Sequence, residues 1–154
     1  MPEIAIIRTT HTGFTVADAA TASAFFRDVL GFSVTDPVRH GGPMVERMTG
    51  VPGAALEIVF ATGAGHTIEM IQYVTPVVPP TPRKRPCDPG FAHVAFQVDD
   101  IDAVVAAVEA AGYAAFSSPQ IVLNGPRKGG KNVYVRGPEG IFIEFQQSPP
   151  ASPD

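Results

Sequence analysis

Tryptophan is absent from this 154-residue chain, and cysteine occurs once, as Cys87. A single cysteine excludes an intrachain disulfide and is consistent with a reducing compartment. No apolar run approaches the roughly 20 residues that span a bilayer. The opening residues, MPEIAIIRTT, lack the charged start and long apolar segment of a signal peptide. We therefore expect a cytoplasmic protein that has no membrane partner.

Basic residues are scarce as well. The chain has 11 lysines and arginines against 15 aspartates and glutamates, which gives a net charge of -4. Because nucleic-acid binding usually needs a strongly basic face, the composition predicts no nucleic-acid partner. Hydrophobic residues make up 45% of the chain, so a core can form. The length allows one domain, or two small modules that share a core.

Proline is abundant, with 16 residues, and it clusters in the segment TPVVPPTPRKRPCDPG. Proline removes backbone donors and fixes φ, so this segment, residues 75–90, is predicted to be a linker. It divides a single domain into two modules of similar length, residues 8–74 and 91–147. The tail, residues 148–154, is expected to fray.

The two modules repeat one another. The first contains HTGFTVADAATASAFFRDVLGF and the second contains HVAFQVDDIDAVVAAVEAAGY. Each opening alternates with period two and then shows a helical apolar stripe, with an aspartate as N-cap and a glycine at the end. Weaker strands follow in each half. The pattern predicts an α+β fold built from two β-α-β-β-β modules. Alignment on His11 and His93 also matches three further pairs: Phe14 with Phe96, Val16 with Val98, and Asp18 with Asp100.

Four polar side chains stand in these otherwise apolar strands. Side chains alternate between the two faces of a strand. In HVAFQV, the side that contains Phe96 can pack under the helix, so His93 lies on the opposite face. The same alternation predicts that His11, Glu69 and Glu144 point away from the helix side of their strands. Four potential ligands are therefore predicted to line the second face of a curved sheet.

Two imidazoles and two carboxylates form a mixed nitrogen and oxygen site that suits Zn, Ni, Co, Mn or Fe(II) and leaves positions open for water or substrate. A cation would also offset the cost of placing carboxylates in apolar strands. Taken singly, a strand histidine is more often a structural hydrogen-bonding residue, and a strand glutamate more often faces solvent. The repeated order and facing favour the metal site over an open sheet that carries all four residues on a solvated face.

These segments resemble the vicinal oxygen chelate superfamily, which includes glyoxalase I, methylmalonyl-CoA epimerase, extradiol dioxygenases and bleomycin-resistance proteins. The most specific matches are HTGFTVADAATASAFFRDVLGF, HTIEMIQY, GFAHVAFQVDDIDAV and YVRGPEGIFIEFQQ. The resemblance implies tandem βαβββ modules that form a cupped, mostly antiparallel sheet with helices on the outer face. It also implies one divalent metal ion per site, held by His11, Glu69, His93 and Glu144.

The resemblance further implies an isomerase or lyase of the glyoxalase I or epimerase type. Such an enzyme chelates two neighbouring substrate oxygens and moves a proton through a metal-stabilised enediolate. By this resemblance, Glu144 is the expected metal ligand and base. Epimerisation needs a second acid or base, for which Glu57 and Glu46 are the predicted catalytic residues. The sequence does not choose between them, and an ordinary surface charge is the alternative for each.

Two other functions compete with this one. An extradiol-type dioxygenase would use Fe(II) with two histidines and one carboxylate, and the fourth protein ligand, Glu69, argues against it. A non-catalytic antibiotic-binding protein of the bleomycin-resistance type commonly lacks the metal ligands and presents an aromatic groove. The expected partners are a small-molecule substrate with adjacent oxygens and a second copy of the chain in a homodimer. Whether the site is formed within one chain or shared between subunits stays open.

Two further features carry polar side chains whose role the sequence leaves open. Tyr134 and Arg136 alternate with Val133 and Val135, so they either reach the cup or face water. The segment NGPRKGGKN, residues 124–132, is a glycine-rich loop with three basic side chains. It could close over an anionic substrate as a lid does.

Overall fold

The computed structural model describes residues 4–79 and 84–151. Parts of the predicted linker and tail, residues 80–83 and 152–154, lie outside the described residues. No helix in the described part is long and apolar enough to cross a membrane. The first half contains β1 (Thr12–Val16), α1 (Ala19–Asp28), β2 (Ser33–Val34), β3 (Val38–Gly41), α2 (Pro43–Thr49), β4 (Ala55–Gly63) and β5 (His66–Thr75). The second half contains β6 (Val94–Val98), α3 (Ile101–Ala110), β7 (Ala114–Ala115), β8 (Gln120–Ile121), β9 (Lys131–Arg136), a 3-10 helix (Pro138–Gly140) and β10 (Phe142–Gln147).

The chain divides into two compact units with related sheets. Unit 1 comprises the residues up to Arg27 together with Gly31–Val78, and unit 2 comprises Asp28–Leu30 and the residues from Pro79 onward. Sheet 1 has the order β1-β5-β4-β2, with β3 also paired to β4, and sheet 2 has the order β6-β10-β9-β7, with β8 also paired to β9. In each sheet only the first and last strands of the unit run parallel to each other. The predicted α+β fold class is confirmed, and each sheet is mixed.

Helices α1 and α3 begin at the predicted aspartate caps. Asp18 Oδ1 accepts hydrogen bonds from the amides of Ala20 and Thr21. Asp100 Oδ1 accepts one from the amide of Ala103 at 3.0 Å. These bonds satisfy donors that the first turn of a helix otherwise leaves unpaired. The sequence thus determines where each module turns from its first strand into its helix.

We expect Asp18→Ala to lower the free energy of unfolding by about 1 kcal/mol at pH 7, the usual cost of losing an N-cap. Hydrogen bonds from the Thr21 amide and then the Thr21 hydroxyl lower the pKa of Asp18 below its ordinary value of 3.8. Because the pKa of Asp18 is lower in the folded protein than in the unfolded chain, its charged form stabilises the fold at pH values above the unfolded pKa. This stabilisation is lost as the pH falls through the pKa of the folded protein. The difference in the free energy of unfolding between Asp18→Ala and the wild type should therefore become smaller below about pH 4, as measured by urea titration. Asp18→Asn is the control, because asparagine caps as well but carries no charge.

The core of each unit forms on one face of its sheet. In sheet 1, Ile68 and Met70 are fully buried, as is Phe26 of α1. In sheet 2, Ile143 of β10 and Val108 of α3 are fully buried. Ile68 and Met70 flank Glu69 on β5, and Ile143 directly precedes Glu144 on β10. The buried residues and the two glutamates therefore lie on opposite faces, as the period-two pattern predicts. The centre of the helix-facing side of each sheet is therefore apolar, and Glu69 and Glu144 lie on the other face.

Helix α2 was not predicted, and it covers part of the second face of sheet 1. Its Val45 is fully buried in a cluster with Ala54, Leu56 and Ile58. The partly buried hydrophobic residues that pack against this cluster include Ile71, which lies two residues beyond Glu69 on the same strand face. Helix α2 and this small apolar cluster thus cover one end of the sheet face that carries Glu69.

Candidate metal centre

The first histidine and glutamate meet in unit 1. Strands β1 and β5 are parallel, and their register places Gly13 opposite Glu69. His11 lies two residues before Gly13, on the same face, and its Nε2 is 3.2 Å from Glu69 Oε2. The other ring nitrogen, Nδ1, is 3.1 Å from the hydroxyl of Thr10. A second bond of this kind orients the imidazole and sets its tautomer, as is usual for histidines that bind metals.

The second pair repeats this arrangement in unit 2. Strands β6 and β10 are parallel, and their register places Ala95 opposite Glu144. His93 Nε2 is 3.1 Å from Glu144 Oε2. The Glu144 side chain is only 11% exposed and that of His93 is 33% exposed, so the carboxylate lies deep and the imidazole covers it. The structure thus brings His11 to Glu69 and His93 to Glu144, each through Nε2 and Oε2.

The geometry of both pairs fits a divalent ion. Two ligand atoms bound about 2.1 Å from one ion on neighbouring coordination positions lie roughly 3 Å apart. The Nε2–Oε2 distances of 3.2 and 3.1 Å match that separation. Imidazole nitrogen and carboxylate oxygen are also ligands that suit transition metals. The described residues include no group of three or more histidine, cysteine, aspartate or glutamate side chains placed to hold one ion.

The Glu144 carboxylate has an outer partner that sequence reasoning missed. Asn132 Nδ2 donates a hydrogen bond of 2.8 Å to Glu144 Oε1, which leaves Oε2 beside His93. Arg127 Nη2 in turn donates to Asn132 Oδ1 at 3.1 Å. Arg127 and Asn132 both belong to the glycine-rich segment 124–132. This segment therefore contacts the carboxylate directly, through the side chain of its last residue.

Gly13 provides the room that Glu69 occupies. A Cβ atom at position 13 would lie 3.2 Å from Glu69 Oε2, tighter than an ordinary contact, and 3.8 Å from the Ile71 side chain. The corresponding position in unit 2 is Ala95, where a methyl group is already present. The two pairs thus have the same residue types but differ in the space behind their carboxylates.

We expect Gly13→Ala to weaken metal binding by about 10-fold, a loss typical of disturbing the surroundings of a ligand. The added methyl would push Glu69 Oε2 away from His11, whereas the backbone of β1 can accept alanine without strain. Isothermal titration with Ni²⁺ or Co²⁺ would measure the change. Gly41→Ala is the matched control, because a Cβ there meets its neighbours at ordinary distances of 3.7 Å or more. Equal affinities for wild type and Gly13→Ala would contradict the role given to Glu69.

Tyr134 and Arg136 lie on the same face as Glu144, where Tyr134 is half-buried and Arg136 is exposed. The register of β9 and β10 pairs Tyr134 with Glu144 and Arg136 with Phe142. The Tyr134 ring meets the His93 ring edge-on, with centroids 5.0 Å apart. Burial, followed by the negative charge of Glu144, raises the pKa of Tyr134 above its ordinary value of 10.0. Its hydroxyl, which is protonated at neutral pH as in any ordinary tyrosine, can donate a hydrogen bond beside the pair.

The two predicted second acid-base residues occupy different places in unit 1. Glu57 pairs in register with Gln72, whose Oε1 accepts a hydrogen bond from the amide of Ala19 at the start of α1. Glu57 therefore lies on the helix side of the sheet, opposite Glu69, and Arg39 Nε donates to it at 3.0 Å. Glu46 lies on α2, the helix that covers the Glu69 face.

Comparison with known proteins identifies relatives of this arrangement. The model of the Glyoxalase/Bleomycin resistance protein/Dioxygenase superfamily matches residues 8–145. An uncharacterised protein of Bacillus subtilis (strain 168), YwbC, is 29% identical over 142 residues, which cover 91% of this chain and 97% of that protein. A 2-epi-5-epi-valiolone epimerase of Actinomyces sp is 27% identical over 150 residues, which cover 93% of this chain and 80% of that enzyme.

Solved structures share the fold. A glyoxalase family protein from Bacillus cereus superposes with a TM-score of 0.82 at 25% identity, over 97% of this chain and 99% of that one. The fosfomycin resistance protein FosX from Listeria monocytogenes gives a TM-score of 0.63 at 15% identity, over 94% of this chain and 95% of that one. At 15% identity, the second likeness concerns the fold alone.

Proposed function

Because the chain belongs to the glyoxalase/bleomycin resistance/dioxygenase superfamily, we propose that it is a divalent-metal-dependent isomerase or lyase of the glyoxalase I or epimerase type. One observation carries the proposal. The same histidine–glutamate pair occurs at corresponding positions of both units, on the face opposite the helix side. In each pair, Nε2 and Oε2 lie at the distance expected of neighbouring ligands. The same distances also fit a contact between imidazole and carboxylate, so the repetition of the pair at corresponding positions is what supports the proposal.

The proposed ligand set takes one pair from each unit: His11 and Glu69, with His93 and Glu144. Two nitrogens and two oxygens leave positions free for two neighbouring oxygens of a small-molecule substrate. Nickel, cobalt, zinc, manganese and iron all accept such ligands. The two pairs that complete one site come either from a single chain or from the two chains of a homodimer. The substrate in both cases is a compound with a C–H bond next to a chelating carbonyl.

When bound, the ion would polarise the substrate carbonyl and acidify the neighbouring C–H bond. Glu144 is the base that takes this proton. Asn132 holds Oε1 of its carboxylate, so the other oxygen, Oε2, stays directed along the His93 side. An isomerase of the glyoxalase type returns the proton from Glu144 to the adjacent carbon. The neutral hydroxyl of Tyr134, whose ring meets that of His93 edge-on, would donate a hydrogen bond to a substrate oxygen.

Epimerisation requires that the proton leave from one face of the carbon and return to the other. Glu46 is the better of the two predicted partners for Glu144, because α2 packs over the Glu69 face whereas Glu57 lies on the opposite side of the sheet. The Actinomyces relative is named as an epimerase, which supports this version of the chemistry. Carboxylates on separate elements can address the two faces of a planar intermediate.

Deuterium incorporation tests the proposed reaction class. The protein loaded with Ni²⁺, Co²⁺ or Zn²⁺ would be incubated in D₂O with methylglyoxal–thiol adducts, an acyl-CoA with an acidic α-carbon, and cyclitol ketones. We expect mass spectrometry to show metal-dependent uptake of deuterium next to the carbonyl of one of these compounds. Oxygen consumption by the Fe²⁺-loaded protein with a catechol, without any deuterium uptake, would contradict the proposal and indicate a dioxygenase.

A further inference from the structure

Arg136, at the end of β9, lies over two aromatic rings on the Glu144 face. Its guanidinium carbon is 5.3 Å from the centroid of the Phe116 ring and 6.0 Å from that of Phe142. These two rings are stacked, with centroids 5.7 Å apart and planes inclined by 22°. A guanidinium held over aromatic faces gains cation–π attraction and loses part of its freedom to rotate. These contacts restrict the exposed side chain of Arg136 on the Glu144 face.

The aromatic surface continues from Arg136 to the histidine of the metal pair. Phe91 meets Phe142 edge-on, with centroids 4.7 Å apart, and its ring is 6.1 Å from that of His93. We call this set, Phe91, Phe116 and Phe142, the aromatic platform. Phe116 is 46% exposed, so the platform is open to solvent at the end where Arg136 lies.

The charge of Arg136 is not neutralised by the protein. In the part of the chain that the structure describes, no carboxylate pairs with its guanidinium, whereas Arg39 pairs with Glu57 and Arg85 with Asp88. Among the described residues, its N–H groups make no side-chain hydrogen bond, so they are left for another acceptor. Such a planar fork binds carboxylates and phosphates through two parallel hydrogen bonds.

We propose that Arg136 binds an oxyanion of the substrate, a carboxylate or a phosphate, while the aromatic platform packs against the carbon skeleton between that group and the chelated oxygens. In the register of β9 and β10, Arg136 lies two residues along the strand from the position that pairs with Glu144. Two residues correspond to about 7 Å, so the anionic group is separated from the reacting carbon by several bonds. The inference rests on the proposed function for the location of the chemistry, but the anion site itself needs no metal.

Anion titration of the metal-free protein tests the site by itself. Acetate, methylphosphonate and inorganic phosphate would be titrated while NMR follows the Arg136 side-chain Nε–H and the amides of 114–116. We expect saturable shifts in the wild type, and the tighter anion identifies the class as carboxylate or phosphate. Arg136→Gln should abolish these shifts, and Arg136→Lys should weaken binding several-fold because the fork is lost. Arg85→Gln removes the same charge from a paired arginine and should leave them unchanged. Shifts that persist in Arg136→Gln, or none in the wild type, would overturn the proposal.

Chelating probes then connect the anion site to the metal. Succinic monohydroxamic acid carries a carboxylate, and pentanohydroxamic acid is its uncharged counterpart. We expect the metal-loaded wild type to bind the acid at least about 10-fold more tightly, a difference of about 1.4 kcal/mol. Arg136→Gln should remove this preference and leave the affinity for pentanohydroxamic acid and the metal content unchanged. An unchanged preference in Arg136→Gln would count against the site. Failure of both hydroxamates to bind would count against the proposed metal centre, and the anion titration would still decide the role of Arg136.

Discussion

Replacing Glu144 or His93 with alanine is expected to reduce metal affinity by more than about 100-fold, because losing even an outer-shell partner of a ligand costs about 10- to 100-fold. The proposed ligand atoms of these residues, Glu144 Oε2 and His93 Nε2, lie 3.1 Å apart. The fold should survive, since the buried Ile143 and Phe145 of the same strand face the helix side. Competition with a fluorescent chelator would measure the affinity, and circular dichroism would report the fold.

Two controls separate a lost ligand from a damaged strand. Glu144→Gln preserves the shape of the side chain, so it should keep the fold and still lose most of the affinity. Glu109→Ala removes an exposed carboxylate of α3 and should bind metal as the wild type does. If Glu144→Ala and His93→Ala both bind metal with unchanged affinity, the pair of unit 2 is a structural contact and not part of a metal centre.

Replacing Glu46 with glutamine is expected to slow epimerisation by about 10²- to 10⁴-fold, the usual contribution of a general acid or base. Exchange of the substrate proton with solvent should be reduced far less, because Glu144 still removes and returns a proton at one face. The measurement is the ratio of deuterium uptake to change of configuration, followed by mass spectrometry and chiral chromatography on the same samples.

Glu57 is the alternative candidate for the second acid-base residue. Its carboxylate lies on the helix side of sheet 1 and is paired with Arg39 at 3.0 Å. Glu57→Gln should therefore leave the ratio of exchange to epimerisation near that of the wild type. A loss of epimerisation in Glu57→Gln but not in Glu46→Gln would show that the assignment of the second acid-base residue is reversed.

The repeat made most of the fold predictable. Alternation along four strands, together with the matched order of histidine and glutamate, was enough to place His11 and Glu69 on one strand face and His93 and Glu144 on another. This worked because a parallel register is set by the buried side of each strand, and a slip of one residue would bury a carboxylate under the helix. The capping aspartates could also be predicted from the sequence, because a helix N-terminus needs a nearby hydrogen-bond acceptor.

Other features depended on contacts that no local pattern encodes. Helix α2 has seven residues and lies between Gly42 and Gly50, both with positive φ, so it offers too few positions for a helical period to show. The face of Glu57 follows from the pairing of β4 with β5, which is interrupted by a register shift between Ala55 and Leu56. The hydrogen bond from Asn132 to Glu144 depends in the same way on the neighbouring strand.

The central claim is that the two histidine–glutamate pairs hold a divalent ion, and elemental mass spectrometry tests it most directly. The protein would be reconstituted anaerobically with Fe, Ni, Co, Zn and Mn in competition, beside the Glu144→Ala and His93→Ala variants. The account predicts close to one Ni, Co or Zn ion per chain in the wild type and far less in either variant. Absence of bound metal under every condition, or equal loading of all three proteins, would contradict it.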